Sequence, residues 1–135
     1  STTVELHNVT ASAEGGSGDA VGLYNEGTVI LQGGSFSATF GADSYGINNF
    51  GQVRAAGIYA SGGFASADAA AVLQANTGGM TILRSRLESP DGAAAERLTG
   101  GSLSILHTSL NGAVEGSPTC VAVSSGLSFY PDTCP

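Results

Sequence analysis

Four aspartates recur along the chain at nearly regular intervals. Asp19, Asp43, Asp68 and Asp91 each stand ten or twelve positions before a hydrophobe that opens a short β-type pattern. Carboxylates stacked in one column repel each other, so they must either extend into water or share a cation such as Ca²⁺. Aspartate also accepts hydrogen bonds from nearby backbone N–H groups, and we favour this structural role.

Other residues with catalytic potential are too far apart to form a site. Glu5 and Glu88 are separated by three repeats and His7 and His107 by four, whereas glycoside hydrolysis needs two carboxyl groups about 5–9.5 Å apart. No Gly-x-Ser-x-Gly nucleophile motif occurs. The sequence therefore predicts a protein that is not an enzyme, with no catalytic residues, no metal ligands and no cofactor.

The two cysteines, Cys120 and Cys134, bracket one strand–turn–strand unit near the end of the chain. We expect them to form a disulfide, with free thiols as the alternative. A metal site is the least favoured interpretation, because no CxxC motif or histidine cluster accompanies them. Disulfides persist outside the cytosol, so we expect an extracellular or cell-surface location.

Hydroxyl-bearing side chains flank one apolar position of each repeat. The pairs are Thr10 and Ser12, Ser35 and Ser37, Tyr59 and Ser61, and Ser109 and Asn111. Tyr59, Arg86 and Glu88 interrupt an otherwise small and mostly hydroxyl-bearing set. Flat rows of hydroxyls can contact sugars or ordered water, so these residues form the candidate binding surface. A merely solvated β face is the alternative.

A repeated sequence pattern predicts the strands that position these residues. The pattern is a hydrophobe, any residue and a second hydrophobe, followed by four variable residues and a third apolar or small residue. Its first members recur at a nearly constant spacing: Val4, Val29, Val53, Met80, Leu103 and Leu127. Alternation of period two indicates strands, and a fixed period of this length indicates stacked turns. We therefore predict three short strands per turn.

Glycine and asparagine occur where such a coil must bend. Asn8, Gly33–Gly34 and Gly57 suit a bend that requires positive φ. Corner glycines recur two positions before the leading hydrophobe at Gly27, Gly51, Gly78 and Gly101. Asn25, Asn49 and Asn76 are interpreted as a structural stack, and Phe40, Phe64 and Val114 are expected to extend the core. The helix-forming segments 69–74 and 93–98 conflict with the pattern, and a short helical turn is kept as an alternative there.

Segments such as Val21–Val29 and Tyr45–Val53, with the turn in Leu6–Ala11, resemble the right-handed parallel β-helix family of pectate lyases and phage tailspikes. The resemblance covers essentially the whole chain. It implies an all-β, right-handed, single-stranded parallel β-helix (solenoid) of five to six turns. Each turn is as long as the spacing between successive leading hydrophobes, and residues 1–135 form one domain. Pectate lyases combine clustered aspartates and calcium with an arginine base, and no basic residue stands in register with the aspartates here.

Charge excludes several partners. The net charge is −7, with four arginines and no lysine, so no basic face is available for nucleic acid or for anionic membranes. No apolar run approaches the ~18–20 residues needed to span a bilayer. The remaining partners that we predict are a glycan or a protein receptor.

The two ends of the coil differ. Pro118, Pro131 and the pair Cys134–Pro135 cap the last turn, whereas Val4 opens the first turn with nothing beneath it. We expect the chain to be the C-terminal part of a longer protein, or to self-associate or dock at this N-terminal turn. We predict a non-enzymatic extracellular module for adhesion or for glycan or receptor binding. The alternatives are the remnant of a polysaccharide-active lyase or hydrolase, and an ice- or mineral-binding surface.

Overall fold

The computed structural model describes residues 2–75 and 77–135, and it contains no helix in those ranges. The strands are β1 (Thr3–His7), β2 (Thr10–Glu14), β3 (Ala20–Asn25), β4 (Thr28–Gln32), β5 (Ser35–Thr39), β6 (Asp43–Asn49), β7 (Gln52–Ala56), β8 (Tyr59–Gly63), β9 (Asp68–Gln74), β10 (Gly79–Leu83), β11 (Arg86–Arg97), β12 (Ser102–Leu106), β13 (Ser109–Glu115), β14 (Thr119–Val121), β15 (Val123–Ser125) and β16 (Ser128–Tyr130).

These strands form a parallel β-solenoid of about five turns, which confirms the predicted all-β stacked coil. One face has the order β1-β4-β7-β10-β12-β14, and a second runs β2-β5-β8-β11-β13-β15. A third face joins β3, β6 and β9 to the later halves of β11 and β13. Each turn, called a rung below, places its strands in register on the rung before it.

The core is made of columns of inward side chains from successive rungs. Strand β7 shows why: its residues alternate between exposed and buried, with Val53 and Ala55 inside. Val53 is paired with Val29 on one side and Met80 on the other. Burying such a column removes apolar surface from water at about 25 cal/mol per Å², and this term holds neighbouring rungs together.

The corner before the first face is closed by glycine and amide side chains. A Cβ on Gly78 would lie 1.9 Å from the Gly51 carbonyl oxygen, so only glycine fits there. Asn25 and Asn49 stack as predicted, with Asn25 Nδ2 donating to Asn49 Oδ1 at 2.7 Å. The next member of the ladder is Gln74, which accepts from Asn49 Nδ2 at 2.7 Å. The predicted third member, Asn76, lies outside the described residues.

The helix-forming segments are strands, as the repeat favoured. Residues 69–74 lie in β9 and residues 93–97 lie in β11. Their alanines pack where two faces come close together: a Cβ on Gly46 would lie 2.6 Å from the Ala71 carbonyl oxygen and 2.8 Å from that of Phe36. Small side chains are required at this narrow cross-section, and tertiary packing overrides helix propensity.

The prediction of a sixth repeat at Leu127-x-Phe129 was wrong. Leu127 is fully exposed and Phe129 is 65% exposed, and β16 pairs antiparallel with β15. The sixth rung of the first face is instead β14, in which buried Cys120 stacks on Ile105. The spacing rule failed because this last turn is shorter than those before it.

The predicted disulfide between Cys120 and Cys134 is confirmed. Cys120 is buried in the core and Cys134 is half-buried against it, with their Cα atoms 5.1 Å apart. The bridge therefore fixes the C-terminal segment to the last rung. At the other end, among the described residues, β1, β2 and β3 each pair with a single strand, and Val4 is 50% exposed.

Candidate functional site

The outward residues of the second face form two rows, which we call the hydroxyl face. One row pairs Thr10, Ser35, Tyr59, Arg86, Ser109 and Ser124, and the other pairs Ser12, Ser37, Ser61, Glu88 and Asn111. All eight predicted residues lie here, and strict register aligns them. Ser124 was missed because the shortened last turn moves it out of the repeat spacing.

The residues that interrupt the hydroxyl rows contact one another. The Tyr59 hydroxyl donates to Oε2 of Glu88 at 2.8 Å, and the Arg86 guanidinium pairs with the other carboxylate oxygen. The hydrogen bond from Tyr59, together with the contact with Arg86, lowers the pKa of Glu88. Burial and the bond to Glu88 raise the pKa of Tyr59. Glu88 is thus an ionised acceptor, fixed from two sides.

A groove of about 200 Å³ opens beside this network. Besides Tyr59 and Glu88, its lining includes Ser61, Phe64, Pro90 and Asp91. The lining therefore combines aromatic residues with residues that carry hydroxyl and carboxylate groups. Reasoning from the repeat missed three groove residues. Phe64 follows the end of β8, and Pro90 and Asp91 lie in the part of β11 where its register with β13 is interrupted.

Phe40 and Phe64 do not extend the core, contrary to the prediction. They are 53% and 67% exposed, and their rings stack with centroids 5.3 Å apart and an interplanar angle of 14°. Both have left-handed backbones, with φ of 61° and 52°. This conformation is rare for bulky residues, and it turns the side chains outward at the corner.

Backbone hydrogen bonds hold this corner in place. The Phe40 N–H donates to the Gly63 carbonyl at 3.3 Å, and the Phe64 N–H donates to Oδ2 of Asp91 at 2.7 Å. Asp91 accepts a backbone hydrogen bond, as we favoured for the aspartates, but it lies inside β11 and its partner belongs to another rung, so it does not cap the start of its own strand. The bond joins Asp91 to the backbone of the preceding rung at Phe64.

The other aspartates lie around the start of the third face. Asp43 and Asp68 are in register, and the Asp43 N–H approaches Oδ1 of Asp19 at 3.4 Å. Oδ2 of Asp68 accepts from the Tyr45 hydroxyl at 2.8 Å. Asp91 bonds to Phe64 instead, so the four do not act as one column. Within residues 2–75 and 77–135, no group of three or more acidic, histidine or cysteine side chains could hold a metal ion.

Glu96 is an acidic residue that the sequence did not single out. Its Oε2 is buried without a hydrogen-bond partner. Burial, followed by the negative charges of Asp68 and Glu115, raises the pKa of Glu96 to about 7. Burial and the bond to Asp68 also raise the pKa of Tyr45. The acidic groups around Glu96 therefore raise its pKa toward neutral pH.

The class defined by these observations is a parallel β-solenoid with a polar and aromatic outer face. Comparison with protein-family models, curated proteins and solved structures found no match. Among the residues that the structure describes, no helix is long and apolar enough to cross a membrane.

Proposed function

We propose that this chain is a non-enzymatic extracellular module that binds a neutral glycan on its hydroxyl face, at the groove beside Phe64. The observation that carries the proposal is the exposed Phe40–Phe64 stack, held in a strained backbone next to a groove lined by Tyr59, Ser61 and Glu88. Strained backbone is retained where surrounding structure enforces it, and such positions cluster at functional sites.

The chemistry of the groove suits a sugar. Aromatic rings carry negative charge on their faces and attract weakly positive C–H groups, which line one side of a pyranose ring. Glu88 and Ser61 supply acceptors for sugar hydroxyls, and charge-assisted hydrogen bonds are the stronger kind. The two carboxylates, Glu88 and Asp91, would repel an acidic sugar. The favoured ligand is therefore uncharged.

The size of the groove indicates weak contact with one sugar unit. Its volume of about 200 Å³ is below the ~300–1,000 Å³ of pockets that enclose small ligands. Strong binding would then require many copies or repeated contacts along the hydroxyl rows, since linked weak contacts combine into high avidity. Adhesion to a polymer or a cell surface fits this mode.

An extracellular location is part of the proposal. The Cys120–Cys134 disulfide supports it, because such bonds persist in oxidising compartments. The chain has four arginines, no lysine and a net charge of −7, so basic groups are few, and Arg86 within the hydroxyl face is paired with Glu88.

The test is binding to an array of neutral and acidic glycans, followed by calorimetry with the best neutral oligosaccharide. We expect Phe64→Ser and Glu88→Gln each to weaken binding at least about tenfold, the loss of one good polar or stacking contact. Phe50→Ser is the matched control, because Phe50 is also exposed and packs on Tyr24 away from the groove.

Three outcomes contradict the proposal. Binding that Phe64→Ser and Phe50→Ser reduce equally would show that the groove is not the site. The second outcome is the appearance of shortened or unsaturated products when the glycan is chromatographed after prolonged incubation, because such products would make the protein an enzyme. Thermal hysteresis that Ser37→Tyr abolishes would favour an ice-binding surface instead.

A further inference from the structure

The corner between the first and second faces of the solenoid carries basic residues in the left-handed backbone conformation. Its column contains Asn8, Gly33 and Gly57, which suit this conformation, and then Arg84 and His107 with φ of 46° and 48°. The Arg84 N–H donates to the Leu106 carbonyl of the next rung at 3.0 Å, so the column is continuous. Arginine in particular has no local preference for positive φ, and glycine or asparagine would be less strained there.

Hydroxyl groups brace these two positions. The Ser85 hydroxyl donates to the Leu83 carbonyl at 2.9 Å, across Arg84, and accepts from the Ile58 N–H at 3.1 Å. The Thr108 hydroxyl repeats the arrangement across His107, donating to the Leu106 carbonyl at 2.8 Å. Ser85 and Thr108 are both buried. The strained backbones of Arg84 and His107 are therefore held rigidly by their own neighbours.

A depression of about 400 Å³ lies over this corner. Arg84 and His107 line it together with Ser109 and Ser124 of the hydroxyl face, and the ring of Phe129 from β16 is also part of its lining. Phe129 is 65% exposed although it is a large apolar residue. Hydroxyls of the hydroxyl face and two basic side chains thus converge at the C-terminal end of the solenoid.

The charge of Arg84 is not used within the described part of the chain. Arg86 pairs with Glu88, and Arg97 donates to the carbonyls of Gly101 and Gly116. Arg84 makes no ion pair with any acidic residue there, nor does His107. Arg84 and His107 are thus basic side chains on neighbouring rungs that have no acidic partner among the described residues.

We infer that this depression, the Arg84 pocket, binds a single oxyanion: a carboxylate, sulfate or phosphate group. The planar guanidinium of Arg84 offers two parallel N–H donors to two oxygens of such a group. His107 and the hydroxyls of Ser109 and Ser124 provide further donors, and the Phe129 ring can cover the non-polar remainder of the ligand. This site is separate from the neutral-glycan groove, and it does not depend on that proposal.

The inference is tested by titrating the full chain at constant ionic strength with three salts: sodium sulfate, sodium phosphate and sodium glucuronate. Comparison of the three salts shows which kind of anion is bound. Amide chemical shifts in an ¹H–¹⁵N spectrum are the readout, with glucose as the uncharged reference. We expect saturable shifts at Arg84, His107, Ser109 and Ser124 with at least one of the anions, and none with glucose.

Arg84→Gly separates binding from structure. Glycine accepts positive φ without strain, so we expect the variant to keep or raise the melting temperature while losing anion affinity at least about tenfold. Arg84→Gln retains the backbone strain and should lose affinity equally, which covers the case in which the glycine variant folds poorly. Arg54→Gln is the control, since Arg54 is an exposed arginine on the first face.

Any one of three results overturns the inference. One is the absence of saturable shifts with all three anions at millimolar concentration. Another is anion binding that survives both Arg84 substitutions, or that Arg54→Gln weakens as much. A weak binding that all salts share, without saturation, would show an adventitious ion only and would also overturn it.

Discussion

The Tyr59 hydroxyl donates to Oε2 of Glu88 at 2.8 Å, joining two side chains that are distant in sequence and lie on adjacent strands of the hydroxyl face. In the sequence, both residues break a row of small hydroxyl groups. In the structure, they form a fixed polar network together with Arg86. The irregular positions of the row are therefore the ones with defined geometry.

Substitution Tyr59→Phe removes only this hydrogen bond. Because the bond is the main cause of the lowered pKa of Glu88, the pKa should rise toward its ordinary value. A lowered carboxyl pKa stabilises the fold above the unfolded pKa, and this stability is lost as pH falls through the folded value. We expect a loss of about 0.5–1 kcal/mol at pH 7 and a smaller loss at a pH well below 4.5, measured by urea unfolding. An equal loss at both pH values would contradict the assignment.

Asn49 is the central member of the amide ladder and is fully buried. It donates to Gln74 and to the Gly79 carbonyl, and it accepts from the Gly51 N–H. Asn49→Ala leaves these groups buried without partners, so we expect a loss of about 2–4 kcal/mol in the free energy of unfolding. Asn25→Ala, at the half-buried end of the ladder, should cost about 1 kcal/mol. Equal costs, measured by urea unfolding, would show that the ladder does not depend on burial.

The raised pKa of Glu96 predicts that the stability of the fold depends on pH near neutrality. The folded pKa of Glu96, about 7, lies above the ordinary value of 4.5, so the folded state holds the proton more tightly than the unfolded state. Its contribution to stability is full below about pH 4.5 and is lost as pH rises through about 7. Glu96→Gln keeps a neutral side chain, and we expect it to stabilise the protein at pH 8 by about 1–2 kcal/mol, allowing for partial exposure.

The Glu96→Gln effect should vanish at pH 4, and thermal melts across pH 4–8 give the comparison. Asp43, Asp68, Glu115 and Tyr45 also face this group, so the shift belongs to the cluster as a whole. Glu14→Gln, at an exposed position of β2, is the control and should change little at any pH. A Glu96 variant whose stability follows that of the parent at every pH would contradict the raised pKa.

The disulfide should stabilise the C-terminal rung. The bridge between Cys120 and Cys134 closes a short loop, and a loop of this size contributes about 3 kcal/mol by restricting the unfolded chain. We expect Cys134→Ser to lower the free energy of unfolding by this amount, and dithiothreitol to have the same effect on the parent chain. Dithiothreitol should not affect the variant further. A parent chain whose melting temperature is unchanged by reduction would contradict the prediction.

The first rung leaves an unpaired strand edge and an exposed Val4 within the described residues. Such edges pair with other strands, so we expect the chain to self-associate with increasing concentration, as measured by sedimentation velocity. Val4→Lys should reduce this association. Leu127→Lys, which removes an exposed leucine at the opposite end, is the control. A monomer at all concentrations would contradict the prediction.

Much of the fold could be predicted because stacking imposes one rule on every turn. Side chains that point inward at equivalent positions of successive rungs must be apolar, so a column such as Val29, Val53 and Met80 is visible as a period. A corner that admits only glycine also recurs with the period of the repeat, and Gly51 and Gly78 are examples of such corner residues. The handedness of the coil stays a prediction.

Connections between strands do not follow the period, and the predictions failed there. Phe40 and Phe64 were assigned to the core from their apolar character, although a left-handed backbone turns them outward. Leu127 continued the spacing of the first hydrophobes, but the last turn is shorter and places Cys120 in the core instead. Both errors come from backbone geometry that residue type alone does not specify.

The sequence by itself determined the repeat, the core columns, the hydroxyl rows and the cysteine pair, because each of these depends on spacing along the chain. Only the tertiary structure decided which side chains meet across rungs. Tyr59 and Glu88 come from successive rungs, as do Arg84 and His107, and only a coil with fixed register brings the members of each pair together. The exposed aromatic stack and the raised pKa of Glu96 likewise depend on packing, since burial and neighbouring charge are properties of the folded chain.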